Sequence, residues 1–414
     1  MKTNLNFVLF VSTCSLIMAG CGSKTGEVFS LADCPVVAER VPLKSGTNSL
    51  IVVDYDNFDF DHPIDFPLCE FCDYELVKLE GSSKDMMVGP GRFYVFGNYM
   101  VWRDPYGHRV LIFDRQGNYL RTLSDSEGPE GFEGFCASVF IDEEYNEIYA
   151  NLQRKTKVYN LNTGEYLRCV DHNNYTRLPI MITMQDKLIF MQAPGEVSYI
   201  KNAIWQTDRE GNMEQTIPAS YFWNMDLVNP LFGEDFWMPA YTLVKSSNED
   251  YLLYSLNNPH AVCDTTYHYY PFTNRLVPAI TMKNPYTENG SLYTQEETPT
   301  YYTAYFTEMV SGPIQLDGFS DRITKRVMVD KQTLKGSAIH LCLDKYGMID
   351  ITAEYDQTFS GDFALNLSPD RLLQLIEERL NKGDLDNDEW LQLRMLYDSI
   401  DDDDNNYVIV GKWK

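Results

Sequence analysis

One sixteen-residue stretch recurs along the chain, and this recurrence limits the folds that are open to it. Its four copies are HRVLIFDRQGNYLRTL at 108–123, KTKVYNLNTGEYLRCV at 155–170, NAIWQTDREGNMEQTI at 202–217 and AIHLCLDKYGMIDITA at 338–353. Each copy reads as an alternating strand, a turn with glycine and a second strand. The turn glycines Gly117, Gly164 and Gly211 lie 47 residues apart, and the 136 residues from Gly211 to Gly347 hold about three further periods. A period of this size made only of strands predicts the blades of a β-propeller.

The chemistry of the turns supports the repeat independently of its spacing. Asp114, Asp208 and Asp344 open three of the turns. An aspartate at this position can accept a hydrogen bond from the backbone amide two residues on. Glycine then takes the position with positive φ that closes a tight hairpin. The flanking strands alternate apolar and polar residues, which predicts faces that are buried between neighbouring blades.

From residue 93 onward the strands can be grouped into blades. The predicted blades span residues 93–123, 136–170, about 179–218, about 237–282 and about 303–355. Strands are left over at both ends, at 49–53, 74–79, 363–367 and 407–413. We expect these strands to pair as a sixth, composite blade, because open edges would leave backbone amides and carbonyls unsatisfied. The predicted fold class is all-β, a six-bladed β-propeller over residues 49–414.

The C-terminal part departs from the strand pattern. Ser368 and Pro369 form a good helix start, and Gly383 is a good helix end. We therefore expect helices at about 369–382 and 388–400, as a short helical insertion in the composite blade. Two long interruptions, 219–236 and 283–302, are rich in aromatic residues: Tyr221, Phe222, Trp223, Phe232, Phe236, Tyr286, Tyr293 and Tyr301. Aromatic side chains in long loops indicate a binding surface, for which Trp223 and Phe236 are candidates.

The N-terminus has the pattern of a lipoprotein signal peptide. Lys2 is followed by an apolar run from 5 to 18 and then by Met18-Ala19-Gly20-Cys21. The run is too short to span a bilayer, and small residues before a cysteine suit a lipoprotein signal peptidase. We predict a signal peptide at 1–20, lipidation at Cys21 and a polar tether at 21–48. The alternative is an ordinary secretory signal with an incidental cysteine.

The charge of the chain limits its partners. The formal net charge is −26, so nucleic acid and an anionic membrane surface would both be repelled. The expected membrane contact is the lipid anchor alone. No adjacent acidic pair of the kind that resembles a surface-export signal follows Cys21. This favours the cell envelope, at the outer membrane and facing the periplasm, with surface exposure left open.

The cysteines allow several states. Seven remain after Cys14 in the signal and Cys21, so at least one stays unpaired in a compartment that permits disulfides. Cys69 and Cys72 form a CxxC pattern, but a strand follows at once instead of a helix whose N-terminus would lower a thiol pKa. A local disulfide, two unpaired thiols and a redox or metal site are the alternatives.

Propeller topology indicates where a ligand would bind. The loops between second and third strands, and those between blades, lie around one mouth of the central channel. Polar residues expected there are Asp104, His108, Glu127, Glu130, Glu133, Arg154, His172, Glu196, Lys201, His260 and Asp264. No two of them show the spacing of a catalytic or metal site, and we predict no cofactor. The sequence favours a module that binds a glycan, a peptide or a partner protein. The alternative is a glycan-cleaving hydrolase or lyase with carboxylates at the channel mouth.

A resemblance to a known group agrees with this interpretation. The chain resembles the six-bladed β-propeller lipoproteins of Bacteroidetes, which are similar to NHL-repeat propellers. The shared features are Cys21, YELVKLE at 74–80, VLIFDRQG at 110–117, EGPEGF at 127–132 and DNNYVIVGKWK at 404–414. The chain departs from the pattern at 130–132, where Gly-Glu-Tyr is more usual, and at Asn406, where proline is frequent. The resemblance implies a propeller fold and a lipid anchor, and it brings no catalytic residues.

Overall fold

The computed structural model describes most of the chain after residue 29. The described residues are 30–43, 48–81, 83–104, 106–124, 131–132, 134–152, 155–172, 180–191, 202–218, 220, 240–245, 251–257, 265–283, 292–309, 322–354 and 362–414. Within these ranges the strands form six sheets, as a six-bladed β-propeller requires. The predicted fold class is confirmed.

Four strands precede the first blade: β1 (Ala38–Pro42), β2 (Ser49–Asp54), β3 (Ile64–Pro67) and β4 (Cys72–Lys78). Blade one contains β5 (Arg92–Phe96), β6 (Tyr99–Arg103), β7 (Arg109–Asp114) and β8 (Tyr119–Ser124). Blade two contains β9 (Cys136–Asp142), β10 (Glu147–Leu152), β11 (Lys155–Asn160) and β12 (Tyr166–Asp171). Blade three contains β13 (Ile180–Met184), β14 (Lys187–Met191), β15 (Asn202–Thr207) and β16 (Met213–Pro218).

Blade four contains β17 (Ala240–Lys245), β18 (Leu252–Asn257), β19 (Thr266–Tyr270) and β20 (Arg275–Lys283). Blade five contains β21 (Leu292–Glu297), β22 (Tyr301–Met309), β23 (Arg322–Asp330), β24 (Gly336–Leu343) and the short β25 (Ile349–Asp350). Blade six starts with β26 (Phe363–Leu367), continues through α1 (Pro369–Asn381) and α2 (Asn387–Asp398), and returns to the sheet as β27 (Tyr407–Trp413). Both predicted helices are present.

The blades pack against one another through apolar faces. Between blades one and two, Ile112 and Ile148 are fully buried in one cluster. Between blades two and three, Tyr149 and Phe190 are fully buried in another. Alternation along each strand places these side chains on the faces that meet the next blade.

The two ends of the blades differ in their connections. We call the end with the turns at 97–98, 114–117, 160–164, 185–186 and 208–211 the hairpin face. The opposite end, where β6 ends at Arg103 and β10 ends at Leu152, is the loop face. Connections on the loop face join second to third strands and each blade to the next.

The predicted turn chemistry is present in the first and third copies of the repeat. Asp114 Oδ1 accepts from the amides of Gln116 at 3.0 Å and Asn118 at 2.9 Å. Asp208 accepts in the same way from Glu210 and Asn212. Gly117 closes its turn with a φ of 89°. A side chain at that φ would be strained, so the sequence has glycine there.

In blade five the repeat register differs from the prediction. The turn between third and fourth strands lies at 330–335, where Asp330 Oδ1 accepts from the amide of Thr333 at 2.7 Å. Leu334 has the left-handed conformation, with a φ of 59°, at the position that Gly164 fills in blade two. The predicted fourth copy, at 338–353, is instead the next hairpin outward, which joins β24 to β25. Leucine is not typical of such a turn, so the sequence pattern does not indicate the repeat turn at 330–335.

Two N-terminal predictions are wrong. Residues 49–53 do not join the composite blade, because β2 pairs in parallel with the outer strand β20 of blade four. The predicted tether at 21–48 is too long, because it contains β1, which pairs with β2 of the fold. Leu31 is 6% exposed and Val37 is fully buried, so this segment belongs to the fold. Parallel pairing of strands more than 200 residues apart leaves no local pattern in the sequence.

The predicted interruption at 283–302 is also wrong in part. It contains β21, which is the first strand of blade five. Tyr301 begins β22 and is 9% exposed within the apolar cluster of blades five and six, so it is a core residue. The earlier interruption, 219–236, lies outside the described residues except for residue 220.

The ring closes in blade six, where strands from both ends of the chain pair. β27 lies between β26 and β4, so an N-terminal strand completes a C-terminal sheet. Residues 79–91 then connect β4 of blade six to β5 of blade one. The buried Asn405 side chain holds this segment: its Oδ1 accepts from the Val88 amide at 2.9 Å, and its Nδ2 donates to the carbonyls of Glu80 and Met86.

We expect β27 to be essential for stability, and one strand offers a matched pair of variants. Ile409 is fully buried in the middle of β27, whereas Lys412 on the same strand is exposed. Ile409→Ala should lower the free energy of unfolding by about 2–5 kcal/mol. Lys412→Ala should change it by less than about 0.5 kcal/mol. Urea unfolding followed by circular dichroism measures both, and equal values would contradict the role of β27 in closure.

Candidate functional site

The structure describes three of the residues predicted for the ligand-binding face. Asp104, His108 and His172 lie on the loop face, as expected from topology. Other candidates lie outside the described residues: Glu127, Glu130, Glu133, Arg154, Glu196, Lys201, Trp223, Phe236, His260 and Asp264, together with the lipidation candidate Cys21.

Asp104 and His108 come together in the loop that joins β6 to β7. Asp104 Oδ1 accepts a hydrogen bond from the backbone amide of His108 at 2.7 Å, and the Gly107 amide donates to the Asp104 carbonyl at 3.1 Å. The carboxylate therefore shapes the loop through its backbone. Tyr106 is 72% exposed at the tip, which gives this loop an aromatic contact surface.

Arg103 fixes this loop to the next blade, a role that the sequence did not reveal. Its side chain is 5% exposed, and Nη1 donates to the carbonyls of Asp104 at 3.0 Å and Cys136 at 3.3 Å. The guanidinium also lies over the Phe135 ring, 5.7 Å from its centroid. The Cys136 amide donates to the Gly107 carbonyl at 2.9 Å. The loop is thus held rigidly against the first strand of blade two.

A row of polar side chains crosses blade two just below the loop face. The Asn151 Nδ2 donates to the Ser138 hydroxyl at 3.2 Å, and Thr156 Oγ1 donates to Asn151 Oδ1 at 3.3 Å. His172 Nε2 lies 2.9 Å from the same Thr156 hydroxyl. Because that hydroxyl has already given its proton to Asn151, it accepts from His172 Nε2–H. The row therefore fixes the tautomer of His172, with the proton on Nε2.

The other ring nitrogen of His172 has no partner. Nδ1 is buried without a hydrogen bond, and the whole residue is fully buried. The Phe190 ring lies 5.1 Å away and stacks on Trp205. Burial lowers the pKa of His172 from 6.5 to about 3, because no nearby charge compensates the cost of burying an imidazolium. His172 is a neutral core residue beneath the loop face, and it does not contact solvent as a catalytic base would.

The densest ionic cluster of the described residues lies at the hairpin face, between blades two and three. Arg209 donates to Glu147 Oε2 at 3.2 Å, to Asp142 Oδ2 at 2.7 Å and to the Tyr149 hydroxyl at 2.7 Å. Arg168 also pairs with Glu147. Burial opposes ionisation of Glu147, but hydrogen bonds from Arg168 and Tyr149 hold its pKa below the usual value. Every charged partner is engaged, so this cluster joins blades.

A second cluster joins blades four and five at the hairpin face. Glu297 is 6% exposed and binds His268 Nε2 at 2.6 Å, Lys331 Nζ and the Tyr251 hydroxyl at 3.2 Å. The Tyr251 and His268 rings are stacked with centroids 3.9 Å apart. Burial would raise the pKa of Glu297, but its hydrogen bond with His268 and the charge of Lys331 keep it low. An ionised, fully paired carboxylate is a structural anchor between blades.

An arginine that recurs in blades one and two also links neighbouring blades at the hairpin face. Arg121 of blade one donates to the Asn162 carbonyl in the blade-two turn. Arg168, 47 residues later, donates through Nε to the Arg209 carbonyl in the blade-three turn at 3.1 Å. The sequence shows this repeat as YLR at 119–121 and 166–168, and its clamping role could have been inferred from the 47-residue spacing.

The CxxC pattern forms no disulfide between Cys69 and Cys72 in the structure. Cys69 lies in a short 3₁₀ turn, whereas Cys72 begins β4 and is fully buried, with its Sγ 3.8 Å from the Leu68 carbonyl. Burial raises the pKa of the Cys72 thiol, so it is not a reactive thiolate. Within the described ranges, no group of three or more His, Cys, Asp or Glu side chains could hold a metal ion.

The neutral state of His172 can be tested through the pH dependence of stability. Its pKa is lower in the folded than in the unfolded protein, so its contribution is complete above about pH 6.5 and is lost as the pH falls toward 3. Between pH 8 and 5 this amounts to about 2 kcal/mol. We expect His172→Asn to lose less stability than the wild type over that range, as measured by urea unfolding.

The matched control is Val170→Ala, a buried change two residues before His172 that removes no titrating group. This variant should have the same pH dependence as the wild type, at a lower stability throughout. A wild-type and a His172→Asn profile that coincide would show that His172 is solvated in the folded protein.

Comparison with known proteins supports the architecture. A family model described as a 6-bladed beta-propeller matches residues 44–231. A crystal structure of a Bacteroides fragilis protein, provisionally assigned as exported, is similar over 85% of this chain and 98% of that chain, with 15% identity and a TM-score of 0.54. At this identity the likeness concerns the fold alone.

Two further solved structures are more distant. Hydrazine synthase from Kuenenia stuttgartiensis matches 63% of this chain and 68% of that chain, with 12% identity and a TM-score of 0.39. BamB from Moraxella catarrhalis matches 52% and 55%, with 10% identity and a TM-score of 0.29. No curated protein matches the sequence significantly.

Proposed function

We propose that this protein is a lipid-anchored, extracytoplasmic propeller of the NHL-like type that binds a glycan, a peptide or a partner protein on its loop face. The observation that carries the proposal is the arrangement of the two faces. The ion pairs described above stabilise the hairpin face, whereas the loop face presents an ordered loop with an exposed Tyr106 at its tip. A rigid ring that carries an ordered loop with an exposed aromatic tip suits ligand binding.

None of the described carboxyl groups with a shifted pKa suits the role of a general acid. Where the pKa of a described carboxyl group departs from its usual value, it is lowered: this applies to Asp59, Glu147, Asp208, Glu297, Asp384 and Asp404. A glycan-cleaving enzyme needs one carboxyl group with a raised pKa as its general acid. These six groups are ionised near neutral pH and cannot serve in that role.

The signal pattern at Cys21 supports the anchor at the outer membrane. In the part of the chain that the structure describes, no helix is both long and apolar enough to cross a bilayer. Leu31 already packs in the core, so residues 22–30 are the whole of the proposed tether. Nine extended residues span at most about 30 Å, which would hold the propeller close to the membrane.

The anchor is tested by Cys21→Ala. A lipid chain contributes roughly 0.8 kcal/mol per buried CH₂, so loss of the acylated cysteine should move the protein into the soluble fraction. Membranes are washed with carbonate and probed with an antibody to the protein. Cys34→Ala, which removes a thiol inside the fold, should stay with the membranes. A Cys21→Ala protein that still sediments would refute the anchor.

The ligand class is tested on glycan and peptide arrays with purified protein. Trp223→Ala and Phe236→Ala should abolish retention of an array ligand while changing the melting temperature little, because contact aromatics contribute more to recognition than to folding. Phe272→Ala, at a residue that is 53% exposed on the hairpin face, should retain the ligand. A large fall in melting temperature in both aromatic variants would identify them as core residues. Release of cleaved glycan from the array would favour the alternative function, a glycan-cleaving hydrolase or lyase.

A further inference from the structure

The helical hairpin of blade six has an outer surface that the fold does not use. Leu372, Leu375 and Ile376 of α1 are buried in the core of blades five and six, and so is Leu393 of α2. Elsewhere on α2, Trp390 is exposed by 46%, Leu391 by 54% and Met395 by 64%. We call these three side chains the α2 patch.

The α2 patch has a contiguous pair of apolar side chains. Leu391 and Met395 are one helical turn apart, so they are neighbours on the surface, and Trp390 lies about 100° around the helix from Leu391. The described residues expose eleven large apolar side chains, and three of these lie in one six-residue stretch of this helix. Isolated exposed apolar residues are normal, but a group that includes tryptophan and methionine is typical of protein interfaces.

The segment that carries the patch is strongly acidic. Residues 384–404 contain nine aspartate or glutamate residues and one arginine, a net charge of −8 in 21 residues of a chain whose total is −26. Arg394 is itself paired with Asp398 at 2.7 Å. The hydrogen bond from Arg379 lowers the pKa of Asp384, which keeps that carboxylate ionised. An apolar patch on a segment of this charge selects its partner by charge.

The patch is also held rigidly. Asp386 caps α2 by accepting from the amides of Asp388 and Glu389, both at 2.9 Å, while Glu389 accepts from the Asp386 amide at 3.1 Å. Arg379 of α1 is 9% exposed and donates to the Gly347 carbonyl beneath the hairpin. A surface that is ordered before binding loses little conformational entropy on association.

We infer that the α2 patch is a docking surface for a basic segment of a partner protein, with apolar side chains that cover Trp390, Leu391 and Met395. The charge of this segment argues against two other occupants. A second copy of the protein would bring a segment of net charge −8 against an identical one, and an anionic bilayer would be repelled. A metal ion would use the carboxylates but not the apolar side chains. This site is separate from the proposed loop-face function and does not depend on it.

The test uses two fluorescein-labelled synthetic helices of about 14 residues that carry leucine on one face and either lysine or glutamate on the other. Fluorescence anisotropy with purified protein should show binding of the lysine peptide and none of the glutamate peptide. Raising the salt from about 50 to 500 mM should weaken the binding, since exposed charges are screened. The double variant Leu391→Ser/Met395→Ser should bind at least tenfold more weakly.

The control is Phe272→Ser, an exposed apolar side chain elsewhere on the hairpin face, which should bind the lysine peptide like the wild type. Thermal unfolding of each variant checks that it is folded. If the double variant is unfolded, Trp390→Ala provides a second patch variant. Equal binding by patch variants and wild type, or no binding of the lysine peptide, would overturn the inference. Self-association that the patch variants abolish would assign the surface to a second copy instead.

Discussion

The closure of the ring in blade six is the constraint on which the rest of the structure depends. The sheet is assembled from β26 and β27 at one end of the chain and β4 at the other, so blade six is not complete until both ends have folded. Asn405 supports this joint through one accepted and two donated hydrogen bonds to residues 80–88. Without closure, the apolar faces of blades one and five that pack against blade six would be exposed, and exposed apolar surface promotes aggregation.

Buried charge in this protein serves assembly. Arg121 and Arg168 reach from a fourth strand to the turn of the next blade, and Glu147 and Glu297 are surrounded by cations and tyrosine hydroxyls between blades. Such groups could be taken for catalytic constellations if only residue types were considered. Their position at the hairpin face, and the lowered pKa of both glutamates, identify them as fixed joints. The loop face is thereby left free to vary without loss of the ring.

The fold could be predicted from the sequence where local chemistry repeats. Asp114 with Gly117, and Asp208 with Gly211, mark turns through hydrogen bonds and φ values that few other residues can supply. Leu334 takes the left-handed position of the corresponding turn in blade five, where the sequence has no glycine. The predicted register of blade five is wrong for this reason. The parallel pairing of β2 with β20 depends on residues more than 200 positions apart, which no local pattern records. Of the predicted site, His172 was placed at the correct end of its blade, but its burial depends on Phe190 and Trp205 of the following blade.

The position of the N-terminal segment links the two faces to the proposed anchor. The Gly336 amide donates to the Pro35 carbonyl at 3.0 Å and the Val37 amide donates to the Leu334 carbonyl at 2.9 Å, so residues 35–37 lie along the blade-five turn. That turn belongs to the hairpin face. With Cys21 lipidated and nine residues before Leu31, the hairpin face would be the one nearer the membrane. The loop face would then point away from the bilayer toward ligands, while the acidic α2 patch would lie within reach of membrane-associated partners.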